Sequence, residues 1–418
     1  MTEPFRSSFL YVSCQHGAEK VLKQAFCEPS GTFRLAYSGK GLLTFKIGFP
    51  VPAWTRALLE HPLVRSRGVV LGRVEGDQSS PMVDTILKDY QSLDWDAMHV
   101  WQRDIAQPGW NGFEPGQSML AVAVAELLRQ RLRLSGDLRP VLAHGLDPES
   151  EPASASTSPQ PTPKPRVSKI LEIILDEPQR WWIAACDSQQ RYDGWPGGIP
   201  DLYAPEQVIS RAYFKLAEAF AWSGLKLRPG ERVVEIGASP GGACQWLLDS
   251  GAIVTGIDPA DMDASLLTHP NFTHWRARSL QVKRRAFRDF RILVCDANVA
   301  PKYTLDTVEA IVTYPTSRFR ALVLTIKMPE WDVANLIPEH VERVRSWGFE
   351  HVEARQLAHN RREYCLVARG RIRSLPSEPL ATEPLPPVPA DESIPPEASS
   401  NGPPANGEDN ASSQLPDI

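Results

Sequence analysis

The glycine-rich segment at residues 233–242 is the feature of this sequence that points most clearly to chemistry. It reads VVEIGASPGG, an apolar strand that runs into a turn from which a helix can start. Gly237 permits the tight turn, and Gly241 and Gly242 let a ligand come close to the backbone. Open α/β sheets bind ligands at the carboxyl ends of their strands, so this turn predicts a cofactor site.

An acidic residue follows the turn at a useful distance. The next apolar segment ends at Asp258, and a carboxylate about 20 residues after such a turn can accept hydrogen bonds from both hydroxyls of an adenosine ribose. The turn is not G-x-G-x-x-G, and no G-x-x-x-x-G-K-[ST] exists, which disfavours a dinucleotide or nucleoside triphosphate. The alternative, a strand–turn–helix corner whose glycines serve packing, leaves Asp258 without a role.

Strands and helices alternate around this turn, which predicts a doubly wound, mainly parallel α/β sheet. The predicted strands are Arg232–Ile236, Ile253–Ile257, Ile292–Cys295, Ala321–Ile326, Glu350–Arg355 and Tyr364–Ala368. The predicted helices are Ser210–Trp222, Gly242–Ser250, Thr304–Tyr314 and Pro338–Trp347.

The chain is predicted to have four parts. Residues 1–146 read as a small α+β domain, with strands at Phe9–Ser13 and near Leu43, Val69 and Met98. Residues 147–166 are rich in Pro and Ser and predict a disordered linker. Residues 167–373 hold the α/β domain, and residues 374–418 predict a disordered acidic tail.

Composition limits the class of protein. The net charge is −5, but all 45 basic residues precede residue 374 and eight of the 50 acids follow it, so the remainder is mildly basic and permits a nucleic-acid partner. The six cysteines form no C-x-x-C pair, and the histidines have no ligand spacing. We expect a cytoplasmic, monomeric protein with no metal, no signal peptide and no membrane span.

The GASPGG turn resembles the G-A-x-P-G-G loop of FtsJ-like RNA ribose methyltransferases, and it is most similar to the RlmM-type enzymes, which modify a cytidine ribose in 23S ribosomal RNA. The similarity runs from about Trp181 to Arg369. The opening segment, Phe9 to Lys20, resembles the THUMP-like RNA-binding domain of the same enzymes. The resemblance implies a Rossmann-like S-adenosylmethionine methyltransferase domain, preceded by a smaller α+β THUMP-like domain over residues 1–146.

The resemblance also implies which residues contact S-adenosylmethionine. One position departs from the family, because Arg278 stands where an acid often lies near the adenine. The implied cofactor residues are Ser210, Gly237, Ser239, Pro240, Gly241, Gly242, Asp258 and Asp296.

A catalytic Lys-Asp-Lys-Glu set is implied in the same way, with counterparts at Lys215, Asp296, Lys327 and Glu363. A ribose hydroxyl needs a base before it can attack a methyl donor. A lysine is a poor base at its ordinary pKa of ~10.4, but burial and a second cation both lower that pKa. The resemblance assigns Lys327 as proton acceptor; the residues alone do not separate it from Lys215.

Basic segments are candidates for RNA contact. The segment Trp275–Arg291 interleaves arginines with Trp275, Phe287 and Phe290, which could stack on bases or pack inward. Arg361 and Arg362 lie beside Glu363, where they could hold the target strand. The arginines at 129, 131, 133 and 139 could bind phosphates or simply form a solvated helix face.

Two other functions remain open from the sequence. An amino-group methyltransferase would carry an Asn-Pro-Pro-Tyr-like turn after the fourth strand, where residues 296–301 read DANVAP, and pyrimidine C5 methylation would need a nucleophile such as Cys295. The chain could also be an inactive RNA-binding factor, which the Lys-Asp-Lys-Glu set disfavours and Arg278 favours.

Overall fold

The structure is a computed structural model that describes residues 6–27, 32–52, 59–93, 95–116, 118–143, 169–187, 194–203 and 205–371. The predicted linker (147–166) and acidic tail (374–418) lie outside the described residues. Within the described ranges, no helix has the length and apolar character needed to cross a membrane.

The first sheet has eight strands in the order β2-β3-β1-β4-β8-β7-β5-β6. Three helices, α1 (Glu19–Phe26), α2 (Ser79–Tyr90) and α3 (Met119–Ser135), belong to this part. The strands are β1 (Arg6–Ser13), β2 (Phe33–Gly39), β3 (Leu42–Pro52), β4 (Ser66–Glu75), β5 (Ala97–Gln102), β6 (Val141–Ala143), β7 (Lys169–Glu177) and β8 (Arg180–Asp187).

Local sequence explains these elements. Successive side chains of β1 point to opposite faces, so Leu10 packs in the main core while Tyr11 packs near Trp101 on the other face. Helix α3 begins where the Ser118 hydroxyl accepts a hydrogen bond from Ala121 N at 3.2 Å and ends at Gly136, whose backbone is left-handed.

The second sheet has seven strands in the order β11-β10-β9-β12-β13-β15-β14. The first five are parallel neighbours, and β15 runs antiparallel to β13 and β14. Its strands are β9 (Arg232–Ile236), β10 (Ile253–Ile257), β11 (Phe272–Trp275), β12 (Ile292–Cys295), β13 (Ala321–Lys327), β14 (Phe349–Arg355) and β15 (Glu363–Arg371). Its helices are α4 (Ala212–Ser223), α5 (Gly242–Asp249), α6 (Ala264–Leu267), α7 (Pro301–Val312) and α8 (Ile337–Ser346).

The predicted α/β sheet is confirmed, with small differences. Strand β11 was not predicted, because its four residues alternate only weakly between buried and exposed. The helix predicted over Thr304–Tyr314 is α7, which starts at Pro301, since the first helical position needs no free N–H.

The predicted domain boundary between residues 146 and 167 is wrong. Strands β7 and β8 were assigned to the second domain, but they pair with β5 and β4 of the first sheet. Their apolar sequences are buried within that sheet, and the change of sheet falls between Asp187 and Arg232.

The described residues, from Arg6 to Arg371, fall within one compact unit, in which the two sheets contact each other through buried polar groups. The Gln15 side chain donates to the Asn360 carbonyl, and Gln356 N donates to the Pro62 carbonyl at 2.8 Å. The Arg355 guanidinium donates to the Arg65 carbonyl at 2.8 Å. The first sheet is therefore held against the segment that leads into β15.

Candidate active site

The structure brings Lys215, Asp296, Lys327 and Glu363 together in a closed ring of ion pairs. Lys215 Nζ lies 3.1 Å from Asp296 Oδ2 and 2.6 Å from Glu363 Oε1. Lys327 Nζ lies 2.7 Å from Asp296 Oδ1 and 2.5 Å from Glu363 Oε2. Each carboxylate thus uses one oxygen for each ammonium group, and this fourfold arrangement is called the Lys-Asp ring below.

Four different elements supply the ring. Asp296 directly follows β12, and Lys327 ends the neighbouring strand β13. The antiparallel register of β13 and β15 sets Lys327 opposite Glu363, which opens β15. Lys215 comes from the first turns of α4. The ring therefore lies at the carboxyl edge of the parallel strands, where sites of such sheets form.

The ring is largely shielded from solvent, which strengthens its ion pairs. Burial acts to lower the pKa of Lys327, but the charges and hydrogen bonds of Asp296 and Glu363 outweigh it and raise that pKa above its ordinary value. The expected lowering is therefore wrong for the free protein, because two carboxylates contact the ammonium. Burial likewise opposes ionisation of Glu363, yet Lys215 and Lys327 lower its pKa to about 2.

We expect the contribution of Glu363 to the free energy of unfolding to depend on pH. Its pKa is about 2 in the folded protein against an ordinary 4.5, so the unfolded state binds the proton more readily between these values. The contribution is present above pH 4.5 and is lost as the pH falls towards 2. In urea unfolding, Glu363→Gln should cost about 3 kcal/mol at pH 7, and this difference from wild type should shrink at pH 3. A cost that is the same at both pH values would contradict the ion-pair origin.

A buried carboxylate on α4 shapes the turn before β15. Glu218 accepts hydrogen bonds from Ala358 N at 2.7 Å and His359 N at 3.0 Å, and His359 Nδ1 lies 2.8 Å from Glu218 Oε2. Although burial opposes it, the contacts from His359 and Ala358 keep the pKa of Glu218 below its usual value. The turn that precedes Glu363 is thus fixed to the same helix that carries Lys215.

The predicted cofactor turn joins β9 to α5 beside the ring. Gly237 has a φ of +77°, and a Cβ there would lie 2.7 Å from the Cα of Ala297, next to Asp296. A Cβ on Gly242 would collide with the Ser210 hydroxyl. Only glycine lets the turn approach these two segments so closely.

Asp258 directly follows β10 at the same edge. Its carboxylate accepts hydrogen bonds from Ser239 N at 3.2 Å and Ala260 N at 2.8 Å, which leaves lone pairs for further donors. The Ser239 hydroxyl also donates to the Asp261 carbonyl at 2.7 Å, so the two loops are joined. Pro240 and Gly241 complete the turn between them.

A cleft of about 860 Å³ opens beside the ring. Besides Lys215, Lys327 and Glu363, it is lined by Ser210, Arg211, Asn298, Met328, Arg361 and Arg362, and by Gln107 of the first-sheet region. Arg361 Nε donates to the Pro108 carbonyl at 2.9 Å, and Arg362 Nη1 donates to the Pro329 carbonyl at 2.7 Å.

Sequence reasoning missed Gln107, Arg211 and Asn298. Arg211 could have been found, because it adjoins Ser210 at the start of the helix that carries Lys215. Gln107 carries no local signal, since it reaches the cleft from a loop after β5 in the other sheet.

The predicted aromatic segment after β11 packs inward. Phe287 and Phe290 are buried, and Trp275 meets Phe290 edge-on with ring centroids 5.9 Å apart. The rings therefore serve packing, whereas Arg276, with an ion pair to Asp261, and Arg278, at the N-terminus of a short 3₁₀ helix, are exposed.

Arginines of the basic run in and just after α3 have partners within the protein. Arg131 Nε lies 3.0 Å from Asp84, Arg139 Nε lies 2.8 Å from Asp137, and Arg129 donates to the Val141 carbonyl at 3.0 Å. These contacts favour the structural reading of that basic run.

Residues 208–340 match the model of the FtsJ-like methyltransferase family. This stretch is an FtsJ-like methyltransferase domain. It contains Lys215, Asp296 and Lys327, while Glu363 lies beyond the matched residues. The resemblance predicted from the glycine-rich turn is thereby confirmed.

Curated relatives agree with the FtsJ-like domain. Ribosomal RNA large subunit methyltransferase M of Halorhodospira halophila is 31% identical over 185 residues, which cover 42% of this chain and 52% of that protein. The protein of the same name from Methylococcus capsulatus is 33% identical over 172 residues, with coverages of 40% and 47%. The chain spans about half the length of the curated relatives it matches.

Among solved structures, the fibrillarin pre-rRNA processing protein of Methanococcus jannaschii aligns with a TM-score of 0.31 and 15% identity. The alignment covers 48% of this chain and 83% of that protein.

Proposed function

We propose that this protein is an S-adenosylmethionine-dependent methyltransferase that methylates a ribose 2′-hydroxyl of RNA, in the finer form of the proposal that of a cytidine of 23S ribosomal RNA. The Lys-Asp ring carries the proposal. Two lysines held by two carboxylates at the edge of an FtsJ-like domain form an arrangement suited to taking a proton from a hydroxyl and keeping the resulting charge in place.

The residues around the turn fit S-adenosylmethionine. Asp258 has acceptor capacity left for ribose hydroxyls, and Ser239 and Pro240 of the turn are partly or fully exposed beside it. Ser210, Gly237, Ser239, Pro240, Gly241, Gly242, Asp258 and Asp296 would hold the cofactor. When bound, it supplies a methyl group on a sulfonium centre.

Within the ring, we assign Lys327 as proton acceptor. It ends β13 and lines the cleft, so a hydroxyl in the cleft can reach its Nζ. Lys215 is the second cation, and Asp296 and Glu363 orient both ammonium groups. Because the carboxylates raise the pKa of Lys327, the neutral base is scarce in the free protein and we expect transfer to speed up as the pH rises.

The cleft supports an RNA substrate. The guanidinium groups of Arg211, Arg361 and Arg362 line it together, and planar guanidinium groups suit phosphate oxygens. We also propose that the first-sheet region is THUMP-like and binds RNA, since it is joined to the cleft through Pro108 and Arg361.

Base methylation through a cysteine nucleophile is disfavoured. Cys295 is buried in β12, and burial raises its pKa to about 12, so the thiolate needed for attack is scarce. Methylation of an amino group is disfavoured as well, because that reaction would not need a proton acceptor held in an arrangement such as the Lys-Asp ring.

The test of the proposal is the position of the transferred methyl group. Purified protein and labelled S-adenosylmethionine would be incubated with total RNA from cells that lack the protein, and the RNA would be digested to nucleosides for mass spectrometry. Label on a ribose 2′-oxygen supports the proposal, and 2′-O-methylcytidine supports the finer form. Label on a base would favour a base methyltransferase, and no cofactor binding at millimolar concentration would favour an inactive RNA-binding factor.

Asp258→Ala should weaken S-adenosylmethionine binding by roughly 10- to 100-fold in isothermal titration calorimetry, because hydrogen bonds from two hydroxyls to a carboxylate are lost. Asp289→Ala is the matched control, since this exposed acid has a local ion pair with Arg288. Equal affinities for the two variants would remove Asp258 from the cofactor site.

A further inference from the structure

Two exposed aromatic residues, each three positions along the chain from a residue that lines the cleft, have no part in the proposed proton transfer. Trp110 is 64% exposed and Tyr303 is 65% exposed. Isolated exposed aromatic residues are common on protein surfaces. These two come from separate segments that both line the same cleft, which calls for a shared explanation.

Trp110 lies on a loop that is ordered by hydrogen bonds. Trp110 N donates to the Gln107 carbonyl at 3.0 Å, and Gly109 N donates to the Phe113 carbonyl at 2.7 Å. The Pro108 carbonyl accepts from Arg361 Nε at 2.9 Å, two residues before Glu363. The loop is therefore held to the turn that leads into Glu363, and the indole of Trp110 is exposed to solvent from an ordered loop.

Tyr303 lies in the first turn of α7. Its N–H donates to the Ala300 carbonyl at 3.0 Å, and Ala300 lines the cleft together with Asn298 and Val299. Val299 is itself 42% exposed. Apolar surface is thus offered to solvent at this side of the cleft as well.

The positively charged lining of the cleft indicates which ligand the two aromatic side chains bind. Arg211, Arg361 and Arg362 line the same cleft as Gln107 and Ala300 of the two segments. Cationic side chains combined with exposed aromatic rings bind single-stranded nucleic acid, because phosphates meet the cations while unstacked bases lie on the rings. A base-paired helix hides its base faces and offers such rings nothing to stack on.

We propose that Trp110 and Tyr303 stack on bases that flank the target nucleotide, so that the RNA at this site is single-stranded or locally opened. This inference rests on the proposed function and deepens it, because it assigns two positioning residues and the form of the substrate. The stacked neighbours would hold the strand while the target ribose enters the cleft.

The test uses the full chain and two probes. Fluorescence anisotropy would measure binding of a labelled single-stranded oligocytidylate of about 12 nucleotides and of the matching duplex with oligoguanylate. Trp110→Ala and Tyr303→Ala should each raise the Kd for the single strand roughly tenfold and leave duplex binding unchanged. Trp110→Phe, which keeps a ring, should restore most of the affinity. Phe49→Ala, at a 58% exposed aromatic residue of β3, is the matched control and should have no effect.

Methyl transfer to total RNA separates this inference from the proposed function. We expect Trp110→Ala to raise KM for RNA by the same factor while kcat at saturating RNA is retained. If wild type transfers methyl groups and the alanine variants keep the wild-type KM and Kd, stacking is overturned and the proposed function stands. An equal loss for single strand and duplex would also overturn stacking. If wild type transfers no methyl group but single-strand binding still depends on Trp110 and Tyr303, the proposed function fails and the binding surface stands.

Discussion

Lys327→Ala should reduce methyl transfer by about 10²–10⁴-fold, the range expected when a general base is removed. Lys327 Nζ lies 2.7 Å from Asp296 and 2.5 Å from Glu363, so its removal leaves the Lys-Asp ring with the ammonium group of Lys215 alone. The measurement is single-turnover transfer from labelled S-adenosylmethionine to RNA at saturating cofactor. If Lys327 is the base, the wild-type rate should rise with pH, since only a neutral lysine can accept the proton and the carboxylates raise the pKa of Lys327.

The control for Lys327→Ala is Lys226→Ala, which removes an exposed lysine near the opposite edge of the second sheet. This control should transfer at the wild-type rate. Cofactor affinity should be retained by both variants. If Lys327→Ala transfers within threefold of wild type, Lys327 is not the base, and Lys215→Ala would then be expected to give the large loss.

The sequence was sufficient to predict the conformation of the glycine-rich turn because all of its determinants are local. An apolar strand, a left-handed glycine and a following helix lie within ten residues, and Asp258 directly follows the next strand. The strands around the turn were predicted for the same reason, since each is a short apolar run bounded by polar residues. Such local sequence patterns predict local structure without any knowledge of the tertiary contacts.

The ring itself could not be derived from local sequence. Lys327 and Glu363 are 36 residues apart, and only the register of β13 against β15 sets them opposite each other. The direction of the Lys327 pKa was missed for a related reason, because it depends on which carboxylates contact the ammonium. The resemblance to FtsJ-like methyltransferases identified the four residues, but the distances between their side chains could be obtained only from the fold.

Longer-range sheet pairing explains the boundary error. The strands at Lys169–Glu177 and Arg180–Asp187 are apolar runs that could pack in either sheet, and their pairing with β5 and β4 has no local signature. The same holds for Gln107, which reaches the cleft only because the first sheet is docked through Gln15, Pro62 and Arg65.

Glu218→Ala should lower the free energy of unfolding by about 3–5 kcal/mol, the cost of removing one partner from a buried charged network. The variant would leave Ala358 N, His359 N and the His359 imidazole without their acceptor in a buried turn. Urea unfolding at pH 7 measures the effect. Because the pKa of Glu218 is lowered in the folded protein, the wild-type advantage should be present at neutral pH and decrease as the pH falls below the usual range for glutamate.

Glu353→Ala is the matched control for this prediction. Glu353 Oε1 lies 2.8 Å from Arg369, but its side chain is 48% exposed, so the ion pair should contribute no more than about 1 kcal/mol. A Glu218→Ala cost as small as that of Glu353→Ala would mean that water replaces the lost carboxylate. The turn before Glu363 would then be ordered by its contacts with the first sheet, through Gln15 and Asn360, and not by α4. Methyl transfer by Glu218→Ala decides between these, because a displaced turn moves Glu363 and slows the reaction even where the protein remains folded.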